Sequence, residues 1–405
     1  MHVQGSAETA QLLQDADRSI LFTAARPELV MERGEGMYLW DTEGHSYLDF
    51  TGGWAVTCLG HSPAVIRDAL SRQSATLVNA SPSFYNKPMI EFARLLTGLS
   101  VFDKVFFASS GAEANEGAVK LARKYGRLHL GGAYDVITTA NGFHGRTLAM
   151  MSATGKRQWE QLFLPKVPGF RHVPFNDIDA AVAAMNPNTC AFMLELVQGE
   201  GGVHAADPEY VRRLRHVCDD SGIMLIIDEI QTGLGRTGKL FAYEHYGIEP
   251  DVMTLGKGIG GGFPLSAMLV KERFNLFEPG DQGGTYSGQP LAMAVGTAVV
   301  REIVGKNLAA HAAKQGAYIC AGLRELSSKH GLEHIRGMGL LLAFELPEAR
   351  SGELVNECRK LGLLINAPNP QMIRLMPPLI VTKQEIDAML EKLAAALGRL
   401  FVQPR

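Results

Sequence analysis

A single lysine stands among glycines in LGKGIGGGF, residues 255–263. Lysine condenses with aldehydes, and a tight, desolvated site lowers its pKa enough to make the amine nucleophilic. Lys257 is therefore a candidate Schiff-base former, and the glycines read as residues that clear space around it. LIIDEIQTG puts Asp228 and Glu229 at the carboxyl end of a continuous apolar run. Buried carboxylates are costly without a partner, and open α/β sheets bind ligands at that end of their strands. ASSGAEANE runs from a strand end into a helix, with Ser110 and Glu113 spaced as a capping box. Alone it is a well-capped helix; beside an anion, the free amides of Gly111 and Ala112 suit a phosphate. NGFHGRT adds an aromatic, Phe143, and a cation, Arg146, while MIRLMPP isolates Arg374 in an apolar segment. Singly, Phe143 reads as core and each arginine as an ordinary ion-pair residue.

Together these residues meet the needs of pyridoxal phosphate chemistry: an amine for the aldehyde, a carboxylate for the pyridine nitrogen, an aromatic for the ring and amides for the phosphate. Two glycine patterns point elsewhere. Gly256, Gly258 and Gly261 spell G-x-G-x-x-G, a dinucleotide fingerprint that needs a helix immediately after it. Phe263-Pro264 and the strand-like LSAMLV follow instead, so no helix dipole faces a pyrophosphate. Gly233, Gly238 and Lys239 match G-x-x-x-x-G-K, but Leu240 stands where a phosphate-binding loop needs Ser or Thr.

The elements that must hold these residues read as alternating helix and strand from about residue 61. KVFFASS, YDVITTA, CAFMLELV, IMLIIDE, DVMTL and LSAMLV are strands. EFARLLTGL and GAEANEGAVKLARKYG have helical spacing. Asp207-Pro208-Glu209 starts a helix that Gly222 ends. Continuous apolar strands between helices predict an α/β fold with a mostly parallel sheet covered on both faces. Residues 289–330 turn helical. LLLAFEL, LLINA and MIRLMP, then a terminal helix, predict a smaller α+β domain at residues 296–405. The early strands MYLWD and SYLDF within residues 1–60 join it, leaving 61–295 as the large cofactor-binding domain.

The chain of 405 residues suffices for about two domains. A net charge of −3 gives no electrostatic case for a nucleic-acid partner. Cys58, Cys190, Cys218, Cys320 and Cys358 form no C-x-x-C pair, so neither a metal site nor a disulfide framework is expected. A reducing, cytoplasmic setting is expected. The first residues lack the pattern of a signal peptide, and no apolar run reaches membrane-spanning length.

The ordered motifs SSGAEANE, FHGRT, VQGEGGV, IIDEIQTGLGRTG, TLGKGIGGGFP and GTYSGQPLA resemble the class III (ω-) aminotransferases. The similarity runs from LDF…LGHSP to RLMPP and is strongest to acetylornithine aminotransferases. It implies the fold-type I architecture and a homodimer with shared active sites. It also implies pyridoxal 5′-phosphate bound at Lys257, with Asp228 at the pyridine nitrogen and Gln231 near the phenolic oxygen. Phe143 would stack on the ring, Ser110, Gly111 and Ala112 would form the phosphate cup, and Thr285 would reach the phosphate of the other subunit. Glu229 is expected to help orient the site. Arg146 would hold a substrate carboxylate far from the reacting amine, and Arg374 the carboxylate beside the reacting carbon. Glu200 would pair with Arg374 and swing away.

The implied reaction moves the δ-amino group of N-acetylornithine to 2-oxoglutarate. Succinylornithine, ornithine and 4-aminobutyrate are alternative donors. Decarboxylase, racemase or aminomutase chemistry on the same scaffold, an NAD-dependent dehydrogenase and a non-catalytic binding protein are more distant alternatives. Ala112 replaces a threonine common in acetylornithine enzymes, and Gly284 a common serine. Trp54 stands where isoleucine and tyrosine alternate. Trp54 and Gly284 are thus candidates for shaping the pocket around an acyl tail.

Overall fold

In the computed structural model, which describes residues 6–401, the apolar runs Asp135–Thr139, Thr189–Leu194, Met224–Asp228 and Val252–Leu255 are strands buried at every position. Burial on both faces is what a helix-covered parallel sheet demands. They form the centre of a seven-stranded sheet in the order Lys104–Ala108, Ser266–Val270, Val252–Leu255, Met224–Asp228, Thr189–Leu194, Asp135–Thr139, Phe170–Val173. Ser266–Val270 runs antiparallel to both neighbours, and the other pairs are parallel. The chain turns straight back after Lys257, so LSAMLV is the one reversed strand of the predicted sheet. The carboxyl ends of Met224–Asp228 and Val252–Leu255 lie at one edge, where the helix Gly111–His129 also begins. Ser266 locks that corner by donating its hydroxyl to the Ser110 carbonyl at 2.7 Å.

Two smaller sheets carry the chain ends. Met31–Glu35, Tyr38–Asp41 and Ser46–Asp49 form an antiparallel set, and Leu363–Leu364 adds to it in parallel beside Ser46–Asp49. Glu333–Met338, Leu341–Glu345 and Met372–Leu375 make an antiparallel sheet in which Arg374 faces Ala343. The helical stretch expected over 289–330 is two helices, Pro290–Gly305 and Leu308–His330, broken where Asn307 takes a left-handed φ of +49°. The expected boundary at 295/296 falls inside the first, which packs against Ala64–Ser74 and Lys87–Gly98.

Pro208–Ser221 starts as expected, with the Asp207 carboxylate accepting from the Glu209 and Tyr210 amides, and ends at left-handed Gly222. Among the helices that the sequence pattern does not announce are Ala7–Ser19 and Ala64–Ser74. Each buries too few residues for an apolar stripe to stand out: Thr9 in the first, Ile66 and Ala69 in the second. Residues 52–55 form a left-handed turn, with φ of +53°, +59°, +62° and +66° from Gly52 to Ala55. For Trp54 and Ala55 this conformation costs about 1–2 kcal/mol each. The Asp49 carboxylate anchors the turn by accepting from the amides of Thr51 and Gly52 at 2.8 and 3.2 Å. No helix among the described residues is long and apolar enough to cross a membrane.

Candidate active site

Asp228 ends its strand with both carboxylate oxygens occupied. Oδ2 accepts from Asn115 Nδ2 at 2.8 Å and pairs with His144 Nδ1 at 2.9 Å, and Oδ1 accepts from the Ile230 amide at 3.0 Å. Asn115 is fixed in turn: its Nδ2 also donates to the His144 carbonyl, and its Oδ1 accepts from Thr254 Oγ1 at 2.7 Å. Burial pulls the His144 pKa down, but its hydrogen bond to Asp228 and that carboxylate's charge outweigh burial and hold it above the ordinary value. Asn115 and His144 carry no mark of this role in the sequence, although each lies inside a motif that stands out for other residues. Glu229 corrects an expectation. Its carboxylate points away from the cavity and accepts from the amides of Ala242 and Tyr243 at 2.6 and 2.9 Å. It fastens the 233–243 loop and leaves the site to its neighbour.

Lys257 sits just past the end of Val252–Leu255 on left-handed backbone, φ +47°. Burial lowers its pKa below the usual lysine value; Glu200 opposes that shift, and Arg374 adds to it. The flanking glycines differ from expectation. A Cβ on Gly256 would lie 3.1 Å from Ile230 Cγ2, and one on Gly261 would lie 2.8 Å from Ile66 Cδ1. They make room for protein packing more than for a ligand.

Lys257, Asp228, Gln231, Phe143, Gly111, Ala112 and Glu200 line one cavity of about 170 Å³. A cavity of about 150 Å³ holds a benzene ring. Both polar atoms of the Gln231 amide are buried there without a hydrogen-bond partner, so they await a polar ligand. The amides of Gly111 and Ala112 open a 19-residue helix, where the first turn has no intrahelical acceptors. The Ser110 hydroxyl lies in the capping box with Glu113 and is exposed. This donor set suits a flat ring bearing a polar substituent and an anion. The residues present fit pyridoxal phosphate.

Arg374 and Arg146 lie outside the lining of this cavity, and Glu200 links the first of them to it. Arg374, 1% exposed, donates to Glu200 Oε1 at 2.6 Å, the Gly199 carbonyl at 2.7 Å and Asn366 Oδ1 at 3.0 Å. The Arg374 charge, with help from Lys257, lowers the Glu200 pKa despite burial, which pushes it up. Arg146 is exposed, and its guanidinium lies 4.9 Å from the Trp159 ring centre. Trp159 also meets Phe143 edge-on at 5.8 Å. No motif marks Trp159, which ends the single 3-10 turn Arg157–Trp159. Trp54 is 59% exposed on its left-handed turn, beside the Lys257 segment through Ala55. Gly284 and Thr285 are exposed and outside the lining of this cavity.

Glu195 is a further lining residue that sequence reasoning misses. It accepts from the Phe143 amide at 2.8 Å, and burial pushes its carboxyl up to about 7 against the opposing His144 charge. A carboxyl whose folded pKa lies above its unfolded value of 4.5 loses stability as pH rises between the two. Glu195→Gln removes that loss. In cofactor-free protein, the melting temperature of the variant relative to wild type is expected to climb by about 3 °C from pH 5 to pH 8. A difference that stays flat would mean that Glu195 ionises alike in the folded and unfolded chains.

The dinucleotide alternative fails on backbone grounds. A short turn, Lys257–Ile259, and the strand Ser266–Val270 follow the glycines, and no helix starts there. Comparison with known proteins agrees with the site. The family described as aminotransferase class-III matches residues 22–397. The chain is 50% identical to an acetylornithine aminotransferase of Ralstonia nicotianae, over 94% of this chain and 97% of that one. It is 46% identical to the acetylornithine aminotransferase of Caldanaerobacter subterraneus, over 94% and 98%. An ornithine aminotransferase structure from Toxoplasma gondii superposes with a TM-score of 0.93 at 30% identity, covering 97% of this chain and 95% of that one. A further structure of the ornithine aminotransferase from that organism has partial occupancy of pyridoxal phosphate at its active site. An aldehyde-seeking lysine, a hydrogen-bonded carboxylate and an opposed arginine–glutamate pair thus converge on one assignment, and the chain belongs to the class-III aminotransferases, enzymes that depend on pyridoxal 5′-phosphate.

Proposed function

We propose that the enzyme transfers the δ-amino group of N-acetylornithine to 2-oxoglutarate, giving N-acetylglutamate semialdehyde and glutamate. The observation that carries this reading is the Arg374–Glu200 pair beside Lys257. One pocket must admit a donor with no carboxylate next to its reacting amine and an acceptor that has one. A buried arginine is costly unpaired, so Glu200 covers it for the first substrate and yields it to the second. The relatives named above support the acylated donor.

Pyridoxal phosphate, when bound, supplies an electron sink for the substrate carbon that loses a proton. Lys257 would hold its aldehyde, Asp228 would face the pyridine nitrogen, and Gln231 would face the phenolic oxygen. Phe143 would stack on the ring, and the Gly111 and Ala112 amides, with Ser110 beside them, would meet the phosphate. The Asn115 and His144 hydrogen bonds keep the Asp228 carboxylate oriented. The depressed pKa of Lys257 keeps more of its amine neutral near pH 7, so Nζ can take the proton from the carbon bearing the substrate amine. Arg146 binds the distant carboxylate of either substrate, and Arg374 the one beside the reacting carbon. Trp54 and Gly284 border the acyl tail.

The active unit proposed is a homodimer in which Thr285 of each chain serves the phosphate of the other. Leu77, Val78, Phe84 and Tyr85 support it. They are 40–87% exposed within one short stretch, more apolar surface than a monomer usually leaves bare. The two-part division of the chain is proposed with its small unit built from both ends, which the Ser46–Asp49 pairing with Leu363–Leu364 supports.

Glutamate formed from 2-oxoglutarate, measured with acetylornithine, succinylornithine, ornithine, lysine and 4-aminobutyrate in turn, tests the donor. Acetylornithine is expected to give the highest kcat/KM, by at least about tenfold over a donor lacking the acyl group. A preference for 4-aminobutyrate or free ornithine would overturn the donor and leave the transaminase assignment standing.

A further inference from the structure

Lys156 has no role in the reaction outlined above, yet it is enclosed beside the site, with a side chain 16% exposed. Its ammonium lies 5.2 Å from the Phe143 ring centre and 5.4 Å from that of Trp159. Nζ is 3.9 Å from Glu200 Oε2, and among the described residues no other carboxylate lies within 4.0 Å of it. Glu200 thus stands between two cations: Oε1 is bonded to Arg374 at 2.6 Å, while Oε2 faces Lys156 across a gap. A formed ammonium–carboxylate hydrogen bond is about 2.7–2.9 Å long. One contact is made and the other stands ready.

We propose that Lys156 is a positioning residue, the second stop of the Glu200 carboxylate, which it receives when a substrate carboxylate takes Arg374. The proposal rests on the two-substrate reading given above. Arg374 stays in place during the exchange, because the Gly199 carbonyl and Asn366 Oδ1 hold its guanidinium whether or not Glu200 is bound. The Gly199 carbonyl belongs to the peptide that leads into Glu200, so that contact also pins the Glu200 backbone. The carboxylate then moves by side-chain rotation alone, and Lys156 lies within that short reach. Without Lys156, the displaced charge would sit partly desolvated beside an incoming dicarboxylate, and both terms oppose binding. With it, Glu200 exchanges one ion pair for another. Arg146 has no carboxylate within 4.0 Å among the described residues, so the cation open to a distant substrate carboxylate is already supplied.

Steady-state constants of the holoenzyme test this. Lys156→Gln and Lys156→Met are expected to raise the 2-oxoglutarate KM by about tenfold and the amine-donor KM by less than about twofold. Lys156→Arg should keep most of the wild-type value. In a Glu200→Gln background there is no charge to receive, so adding Lys156→Gln should move the 2-oxoglutarate KM by less than about twofold. Three results would overturn the proposal. An equal rise for both substrates would reduce Lys156 to packing. A larger rise for the donor would make it a donor contact. An undiminished tenfold rise in the Glu200→Gln background would make it a direct ligand of 2-oxoglutarate. Failure of the substrate reading looks different: wild-type enzyme would form no glutamate from 2-oxoglutarate with any donor, and the proposal would fall with it.

Discussion

Lys257→Ala is expected to lower kcat by at least about ten-thousand-fold while leaving the fold intact. Lys257 is asked both to hold an aldehyde and to move a proton, and it is the one amine side chain that lines the cavity among the described residues. Of the other titratable groups that line the cavity, Asp228 is bonded to Asn115, His144 and the Ile230 amide, Glu195 to the Phe143 amide and Glu200 to Arg374, while His144 is held by Asp228 through Nδ1 and has an unpartnered Nε2. Truncation also removes a desolvated amine, whose depressed pKa marks it as a burden on the folded chain. Melting temperature should therefore hold or rise. Turnover of acetylornithine with 2-oxoglutarate, with thermal unfolding measured in parallel, checks both halves. A variant within about tenfold of wild type would show that another base carries the proton.

Arg374→Ala carries the second large effect, and its size depends on the substrate. The change strips Glu200 of its bonded cation and leaves the Gly199 carbonyl and Asn366 Oδ1 without their donor. Losing the buried arginine that would hold the 2-oxoglutarate carboxylate costs about 3–5 kcal/mol, so the 2-oxoglutarate kcat/KM is expected to fall about 150- to 5000-fold. The amine donor places no carboxylate on Arg374, so its half-reaction should lose less than about tenfold. Single-turnover rates for the two half-reactions separate these numbers. Equal losses would mean that Arg374 only supports the fold.

Residues at strand ends are legible in the sequence because apolar runs announce their strands and the first polar residue after each is conspicuous. Asp228 and Lys257 are of this kind. Glu229 shows the limit: two adjacent acids look alike in a sequence, and only the fold sends one to the cavity and the other to the 233–243 loop. Asn115 and His144 act through contacts 113 and 84 residues away from Asp228, and no local pattern encodes such pairings. Lys156 and Trp159 flank and end a three-residue 3-10 turn, too short to show a period. The glycines beside Lys257 are conspicuous, but their neighbours Ile230 and Ile66 come from distant segments. The resemblance to a family supplies Arg374 and Glu200 as a pair, which chemistry at either position alone would not join.

The reversed strand Ser266–Val270 sets an order of events during synthesis. It bridges Lys104–Ala108 and Val252–Leu255, so the sheet edge that leads into the helix at Gly111 pairs with the rest of the sheet only after residue 270 has emerged. Contacts of such long sequence separation form slowly. Arg374 arrives later still, on Met372–Leu375, paired with Leu341–Glu345. Lys257 and Asp228 are therefore synthesised well before the arginine that pairs with Glu200, and Glu200 has no such partner until Met372–Leu375 has emerged.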